Sequence, residues 1–252
     1  MIAFSEAELL RWRAGFLLPL FRVLALFAVA PVVSNRAFPM RVRVGLAAAV
    51  ALVSAPSFQA PQALEIGASL LGMVLHELLA GLTIGFAARL LFAAFEVAGE
   101  TIGLQTGLSF AGFFDPQSGA ANALGRFVGT IVLLAFVSID GPLAMIATVI
   151  RSFEVFPPGS IGFGALSVRG PIALGAEVFA LALGIALPFI ALLLFVNIAL
   201  GVISRVAPQF NVFAVGFPVI IGSGLLLLTL GLSAIANPLA ESLERFLEQS
   251  LR

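Results

Sequence analysis

Residues 178–204 read VFALALGIALPFIALLLFVNIALGVIS and contain no charged side chain. A helix that crosses the hydrocarbon core of a bilayer needs about 20 mostly apolar residues. This stretch exceeds that length, and soluble domains seldom bury so long an uncharged helix. It therefore predicts a helix that is surrounded by lipid or by other membrane proteins.

Five further stretches are apolar enough to form membrane helices. They are Ala14–Ser34, Val44–Pro56, Ile66–Phe95, Ala123–Ile150 and Val206–Ala240. Val44–Pro56 is short, and Pro208 and Pro218 should delay the regular start of the last stretch, because proline lacks the amide hydrogen that a helix interior uses. The tail from Glu241 to Arg252 is amphipathic and charged, so we expect it in water or on a partner. The predicted fold class is all-α, a multi-helix integral membrane protein whose helices are broken by Pro and Gly.

The composition agrees with a membrane protein. The chain is 61% hydrophobic and 10% charged, with a mean hydropathy of +1.15. Soluble globular domains contain about 25% charged residues, so this chain has too few charges for a polar shell. The formal net charge is zero, which leaves no global field to attract nucleic acid. The absence of cysteine excludes disulfides, thiolate catalysis and Cys-ligated metals.

Several ionisable residues lie inside the apolar stretches, where each costs about 2.5–3.5 kcal/mol at the bilayer centre on insertion scales. Such groups normally face the protein interior or a wet path. One interpretation is an ion or proton path, and the other is a set of buried pairs that hold helices together. We favour the second. The buried charges that we predict are Arg22, Glu96, Glu100 and Arg126, and the other ionisable residues of this kind are His76, Glu77, Arg89 and Glu177.

Glycines recur at a spacing of four at Gly99, Gly103 and Gly107. In a helix this spacing places them along one face, where a second backbone approaches closely. Gly81 and Gly85 repeat the pattern, as do Gly125 and Gly129. The pattern predicts helix packing, either within this chain or between subunits of an oligomer, and the sequence leaves both open.

The stretch from Gly107 to Pro116 is apolar but ends in Asp115-Pro116. A residue before proline favours an extended or turn conformation, so Phe110, Phe113 and Phe114 should lie on a bend. Irregular backbone at membrane depth is tolerated only inside protein or along a cavity. These phenylalanines therefore form either a channel plug or constriction, or an anchor in the lipid interface.

No motif of an enzyme active site is present. The sequence contains no Gly-x-Ser-x-Gly elbow, no His-Glu-x-x-His and no Walker phosphate loop. We therefore predict no enzymatic activity and no catalytic, metal or cofactor site. A second functional hypothesis is an ion-coupled small-solute transporter that uses Glu96, Glu100 and Glu177, but we find none of the duplicated halves that transporters often show.

Three ordered blocks of sequence make the chain similar to the FliR/SctT family, the membrane export-gate component of flagellar and virulence-type secretion systems. The match is to the FliR side and runs over nearly the whole chain. The blocks include LPLFRVLA at 18–25, AGETIGLQTGLSFA at 98–111 with Asp115-Pro116, and NIALG, RVAPQ and GFP at 197–201, 205–209 and 216–218.

The resemblance implies an export-gate subunit in the bacterial inner membrane, within the flagellar basal body. It implies FliP, FliQ, FlhB and FlhA proteins as partners and unfolded flagellar proteins as substrates. It also implies a single domain over 1–252, with a FliP-like part over about 1–170 and a FliQ-like helical hairpin and tail over about 171–252. The family's loop after Gly-Leu-Ser-Phe-Ala helps to close the channel, which favours the plug interpretation of Phe110, Phe113 and Phe114.

Overall fold

The computed structural model of the chain describes residues 6–35, 38–54, 68–107, 123–157, 169–207, 209 and 212–251. Within these ranges all regular secondary structure is helical, which confirms the predicted all-α class. The helices are α1 (Glu6–Val29), α2 (Met40–Ser54), α3 (Ala68–Gln105), α4 (Ala123–Ser138), α5 (Gly141–Val155), α6 (Arg169–Val206), α7 (Val212–Leu230) and α8 (Leu232–Gln249).

Two helices are long and apolar enough to cross a membrane in the described part of the chain, over Leu70–Gln105 in α3 and Leu174–Val206 in α6. Each of these helices has 38 residues, which at 1.5 Å per residue makes them about 57 Å long. α4 and α5 together make a third candidate span if the bent pair is counted as one. The predicted multi-helix membrane protein is therefore confirmed.

The fourth apolar stretch forms two helices where we predicted one. α4 and α5 meet at a bend of 65°. At the break Asp140 adopts the left-handed region with φ 56° and ψ 29°, which ends the hydrogen-bonding pattern of α4. Pro142 follows in the first turn of α5, where its missing amide hydrogen is not needed.

The sixth stretch also forms two helices, α7 and α8, separated at Gly231. α7 begins at Val212, after Pro208, as the prediction of a delayed start requires. Pro218, in contrast, lies inside α7 and does not delay its start, and Pro188 lies inside α6. A proline inside a helix removes one backbone hydrogen bond and is a common cause of a kink, but the helix can continue beyond it.

The chain divides into two compact units that interleave along the sequence. The first unit comprises Met1–Leu90, Asp140–Leu174 and Leu243–Arg252, and the second comprises Leu91–Ile139 and Gly175–Ser242. One change of unit lies between Leu174 and Gly175, and the division near residue 170 that the resemblance implies stays a prediction.

In the first unit, α1 packs against α2 and against the first half of α3. Leu18 of α1 and Met73 of α3 are buried together, with Val74 beside them. The end of α8 also belongs to this unit, where Leu243 and Phe246 are buried. The apolar face of the tail is therefore covered by its own chain, whereas the sequence predicted water or a partner.

In the second unit, Phe92 of α3 meets Phe136 of α4 edge to face, with ring centroids 5.1 Å apart. α6 and α7 run antiparallel in this unit. A Cβ added at Gly231 would lie 2.5 Å from the ring of Phe189, and one added at Gly224 would lie 3.9 Å from Leu193. Phe189 comes before Leu193 in the sequence, whereas its neighbour Gly231 comes after Gly224. The two helices therefore run in opposite directions and form a hairpin.

Candidate functional site

Arg22 is fully buried in the first unit, at 0% exposure. It lies within an apolar run of α1, on the face of the helix that packs against α3. Burying a guanidinium is tolerated only where hydrogen bonds and an opposite charge replace its water. We therefore expect polar partners around Arg22.

Glu77 of α3 supplies the opposite charge and is also fully buried. Nε of Arg22 donates to Oε2 of Glu77 at 2.7 Å, and Nη2 donates to Oε1 at 3.0 Å. This is the bidentate geometry in which a guanidinium matches a carboxylate. The pair joins α1 to α3.

α5 completes the surroundings of the Arg22 guanidinium. Nη1 donates to Oγ of Ser152 at 3.0 Å, and Nη2 also donates to the carbonyl oxygen of Phe156 at 2.8 Å. The guanidinium carbon lies 4.3 Å from the ring centroid of Phe153, a cation–π distance. No sequence signal marks these three residues, because a serine and two phenylalanines in an apolar stretch do not indicate a charged neighbour.

His76 lies beside this cluster and is 2% exposed. Its Nδ1 is 3.7 Å from Oε1 of Glu77, which is longer than a hydrogen bond. Neither of its ring nitrogens has a hydrogen-bond partner in the part of the chain that the structure describes. The residues that we name the Arg22 cluster are Arg22, His76, Glu77, Ser152, Phe153 and Phe156.

Two glycines of α3 let α1 approach closely enough for this cluster to form. A Cβ added at Gly81 would overlap the carbonyl oxygen of Arg22 and lie 2.9 Å from Cβ of Ala25. A Cβ added at Gly85 would lie 3.0 Å from the carbonyl oxygen of Leu26. The spacing of four that the sequence showed at these positions is thus a contact between two backbones within the chain.

A second close contact joins α3 to α4 in the second unit. A Cβ added at Gly99 would lie 2.9 Å from Cβ of Val128 and 3.0 Å from Cα of Gly125. Gly103 is buried one turn further along α3. Gly107 differs from the expectation, because α3 ends at Gln105 and Gly107 follows it with φ 74°. A left-handed glycine just past a helix is a typical C-terminal cap.

Three of the four predicted buried charges are exposed in this chain, in contrast to Arg22. The side chains of Glu96, Glu100 and Arg126 all lie at the surface. Glu100 packs against α4, where a Cβ added at Gly125 would lie 2.8 Å from its Cγ. Gly125 thus leaves room for the aliphatic stem of Glu100, and Glu100 as a whole is exposed.

The predicted plug residues Phe110, Phe113 and Phe114 lie outside the described residues. The described chain ends before them with the cap at Gly107 and resumes at the start of α4. Among the described residues, no group of three or more His, Asp and Glu is placed to hold a metal ion.

Comparisons with known proteins cover almost the whole chain. The profile of a family described as "Bacterial export proteins, family 1" matches residues 14–246. The chain is 37% identical to the flagellar biosynthetic protein FliR of Pectobacterium carotovorum subsp. carotovorum, over 96% of this chain and 93% of that protein. It is also 37% identical to FliR of Escherichia coli strain K12, over 94% and 88% of the two chains. FliR of Bacillus subtilis strain 168 is 32% identical, over 88% of this chain and 87% of the other.

Proposed function

The chain belongs to the bacterial export proteins, family 1, and from this membership we propose the part that it plays in flagellar protein export. It is a membrane-associated, structural and transport component of the flagellar type III export gate. We propose that it forms part of the channel through which unfolded flagellar proteins cross the bacterial inner membrane. Similarity to flagellar FliR proteins along nearly the full chain is the observation that carries the proposal.

The uncovered surface of α6 supports a role within an assembly. Only 33% of its most apolar stretch is buried by the chain itself, against 56% in α3. The uncharged run between Glu177 and Arg205 is about 42 Å long as a helix, whereas the hydrocarbon core is about 30 Å thick. Its large exposed apolar side chains include Phe179, Leu183, Leu187, Leu192, Phe195, Ile198 and Val202.

In this proposal, partner subunits cover the part of α6 that the bilayer does not. The partners are the FliP and FliQ proteins of the gate, with FlhB and FlhA proteins joining the apparatus. The antiparallel pair of α6 and α7 corresponds to the FliQ-like hairpin over about 171–252, and the preceding helices correspond to the FliP-like part. The contacts of Gly231 with Phe189 and of Gly224 with Leu193 support the hairpin.

The proposal keeps Phe110, Phe113 and Phe114 as the channel plug. The left-handed cap at Gly107, just beyond the end of α3 at Gln105, lies three residues before Phe110 in the sequence. A narrow apolar constriction excludes water and ions, and phenylalanine has no polar atom that would hold water there. A channel for unfolded chains needs such a seal between substrates, because an open pore would dissipate the membrane potential.

Co-purification tests the assembly. The chain carries an affinity tag and is produced together with the FliP and FliQ proteins of its own bacterium, and the purified material is imaged. We expect one complex that contains all three proteins. The control is the same tagged chain produced alone. Recovery of the chain free of both partners under conditions that preserve membrane complexes would contradict the proposal.

Deletion of the gene in its own bacterium tests the transport role. We expect flagellar subunits to remain inside the deletion strain and to be secreted again when the gene is restored. Normal secretion in the deletion strain would refute the role. Uptake of a small solute by the purified chain in vesicles would instead favour an ion-coupled transporter.

A further inference from the structure

The first half of α2 presents basic and apolar side chains that the described part of the chain leaves uncovered. Met40, Arg41, Val42 and Val44 are exposed, and Arg43 is half-buried. The residues of α2 that are buried begin only at Ala47. The buried contacts of α2 therefore lie in its second half, and the start of the helix stands free of the rest of the first unit.

The two guanidiniums of this segment have no opposite charge. Neither Arg41 nor Arg43 forms an ion pair with any described residue, and the sequence contains no acidic residue between Glu8 and Glu65. Within the described ranges, the Arg43 guanidinium makes one hydrogen bond, from Nη2 to the carbonyl oxygen of Asn35 at 3.4 Å, and its Nε makes none. Hydrogen bonds from nitrogen to a carbonyl oxygen are usually about 2.9–3.0 Å long, so both guanidiniums remain available to a stronger acceptor.

The start of α2 adds to the positive potential. The amides of Val42 and Arg43 donate to the carbonyl oxygen of Pro39 at 3.0 and 3.1 Å, whereas the first amides of a helix have no acceptor within it. Proline offers no side-chain acceptor for them, and the first turn of α2 contains no acidic residue. The helix dipole therefore acts in the same direction as the two arginines, and all three favour an anion.

The order of side chains along α2 matches the order of groups in a phospholipid. Both charges lie in the first turn, and the exposed side chains beyond them are uncharged as far as Leu52 and Val53. From Arg41 to Leu52 the helix rises about 16 Å, which is close to half the thickness of the hydrocarbon core. A phospholipid has its phosphate at one end and hydrocarbon below it, so it satisfies an arginine together with the apolar side chains that follow. A soluble anion would satisfy the arginine alone.

We propose that the start of α2 binds anionic phospholipids at the surface of the bilayer. Residues two apart do not share a helix face, so Arg41 and Arg43 contact headgroup phosphates on different sides of α2. A guanidinium matches two phosphate oxygens at once, and the acyl chains lie along the exposed apolar side chains of the helix. The proposal stands on the charges and the exposure of α2 and does not rest on the proposed function.

Fluorescence quenching by brominated lipids tests the proposal on the full chain in lipid vesicles. The chain contains no cysteine, so Ala49→Cys, at an exposed position about two turns beyond Arg41, carries a single fluorophore. Phosphatidylglycerol brominated on its acyl chains is compared with phosphatidylcholine brominated in the same way. We expect this surface to prefer phosphatidylglycerol about fivefold or more, the effect of one arginine near an anionic headgroup, and added salt to reduce the preference.

Substitution identifies the arginines as the cause. Arg41→Gln together with Arg43→Gln should bring the preference to about one, whereas Arg151→Gln, at an exposed position of α5 in the same unit, should leave it unchanged. If the double variant does not fold, Arg41→Gln alone decides, because the Arg41 side chain has no partner in the described structure that its loss would disturb. Equal quenching by both lipids in the labelled parent would overturn the proposal and favour carboxylates of a partner subunit as the acceptors. A preference that survives the loss of the arginines would overturn it as well.

Discussion

The guanidinium of Arg22 and the carboxylate of Glu77 form a bidentate ion pair with both side chains at 0% exposure. The two residues are 55 positions apart in the sequence. A buried pair of this kind does not by itself stabilise a fold much, because the cost of removing both charges from water offsets the attraction. We expect its effect to be on specificity, since a helix that shifts along its neighbour would leave two charges unpaired.

Arg22→Leu should strongly destabilise the chain, because Glu77 then remains as an uncompensated buried charge. Removing one partner of such a pair costs about 3–5 kcal/mol, so we expect a large loss of assembled gate in membranes and a lower thermal midpoint in detergent. The double variant Arg22→Leu with Glu77→Leu should recover much of the loss. Arg151→Leu, at an exposed position in the same unit, is the control. Normal assembly with lost export in Arg22→Leu would indicate an ion path instead.

Gly81→Ala should lower stability, because the added methyl group overlaps the carbonyl oxygen of Arg22, a backbone atom that cannot turn away. Overpacking of this kind costs about 1–3 kcal/mol. Gly72→Ala, in the same helix with nothing within 4 Å of the added atom, should be neutral or slightly stabilising, since alanine favours a helix. Thermal unfolding in detergent compares the two, and equal midpoints would disprove the close contact.

Gly103→Leu should prevent assembly or destabilise the subunit, because Gly103 is buried on the helix that presents Gly99 to α4. Gly99→Ala should have a smaller effect of the same sign, since its added atom would lie 2.9 Å from Val128. Gly184→Ala, with open space around it, serves as the control. Recovery of Gly103→Leu with the gate at normal yield, together with normal motility, would show that this position has room for a side chain.

Replacing Phe110, Phe113 and Phe114 with alanine should raise ion leakage through the assembled gate while assembly remains largely intact. The loss of three bulky side chains widens an apolar constriction until it admits water. Conductance of the purified complex in a planar bilayer, or growth inhibition by small ions, measures the leak. A triple Phe→Leu variant keeps the segment apolar and should leak less. If the alanine variant assembles and stays as tight as the parent, the three residues are interface anchors.

Sequence patterns predicted the features of this protein that depend on local composition. Long apolar runs predict membrane helices, and α3 and α6 have the required length. Even so, the apolar runs overestimate how far each helix continues without a break. Two of them break, at Asp140 and at Gly231, because a single left-handed residue or a glycine ends a helix without interrupting the hydropathy of the run.

The sequence does not indicate which way each charged side chain points. Arg22 and Glu96 both lie inside apolar runs, yet Arg22 is buried and Glu96 is exposed. Hydropathy reports how apolar a segment is, and the direction of one side chain depends on which face of the helix a neighbour covers. Small residues on the neighbouring helix, such as Gly125 beside Glu100, decide how closely the two helices approach.

The sequence by itself determined that this chain is an all-helical membrane protein, because lipid imposes an apolar composition on every helix that it surrounds. It also determined the family, because family membership resides in ordered residue patterns. Only the tertiary structure decided the partners of Arg22, since Glu77 and Ser152 lie 55 and 130 positions away along the chain. A buried guanidinium needs specific acceptors at hydrogen-bond distance, and only the packing of α1, α3 and α5 brings them together.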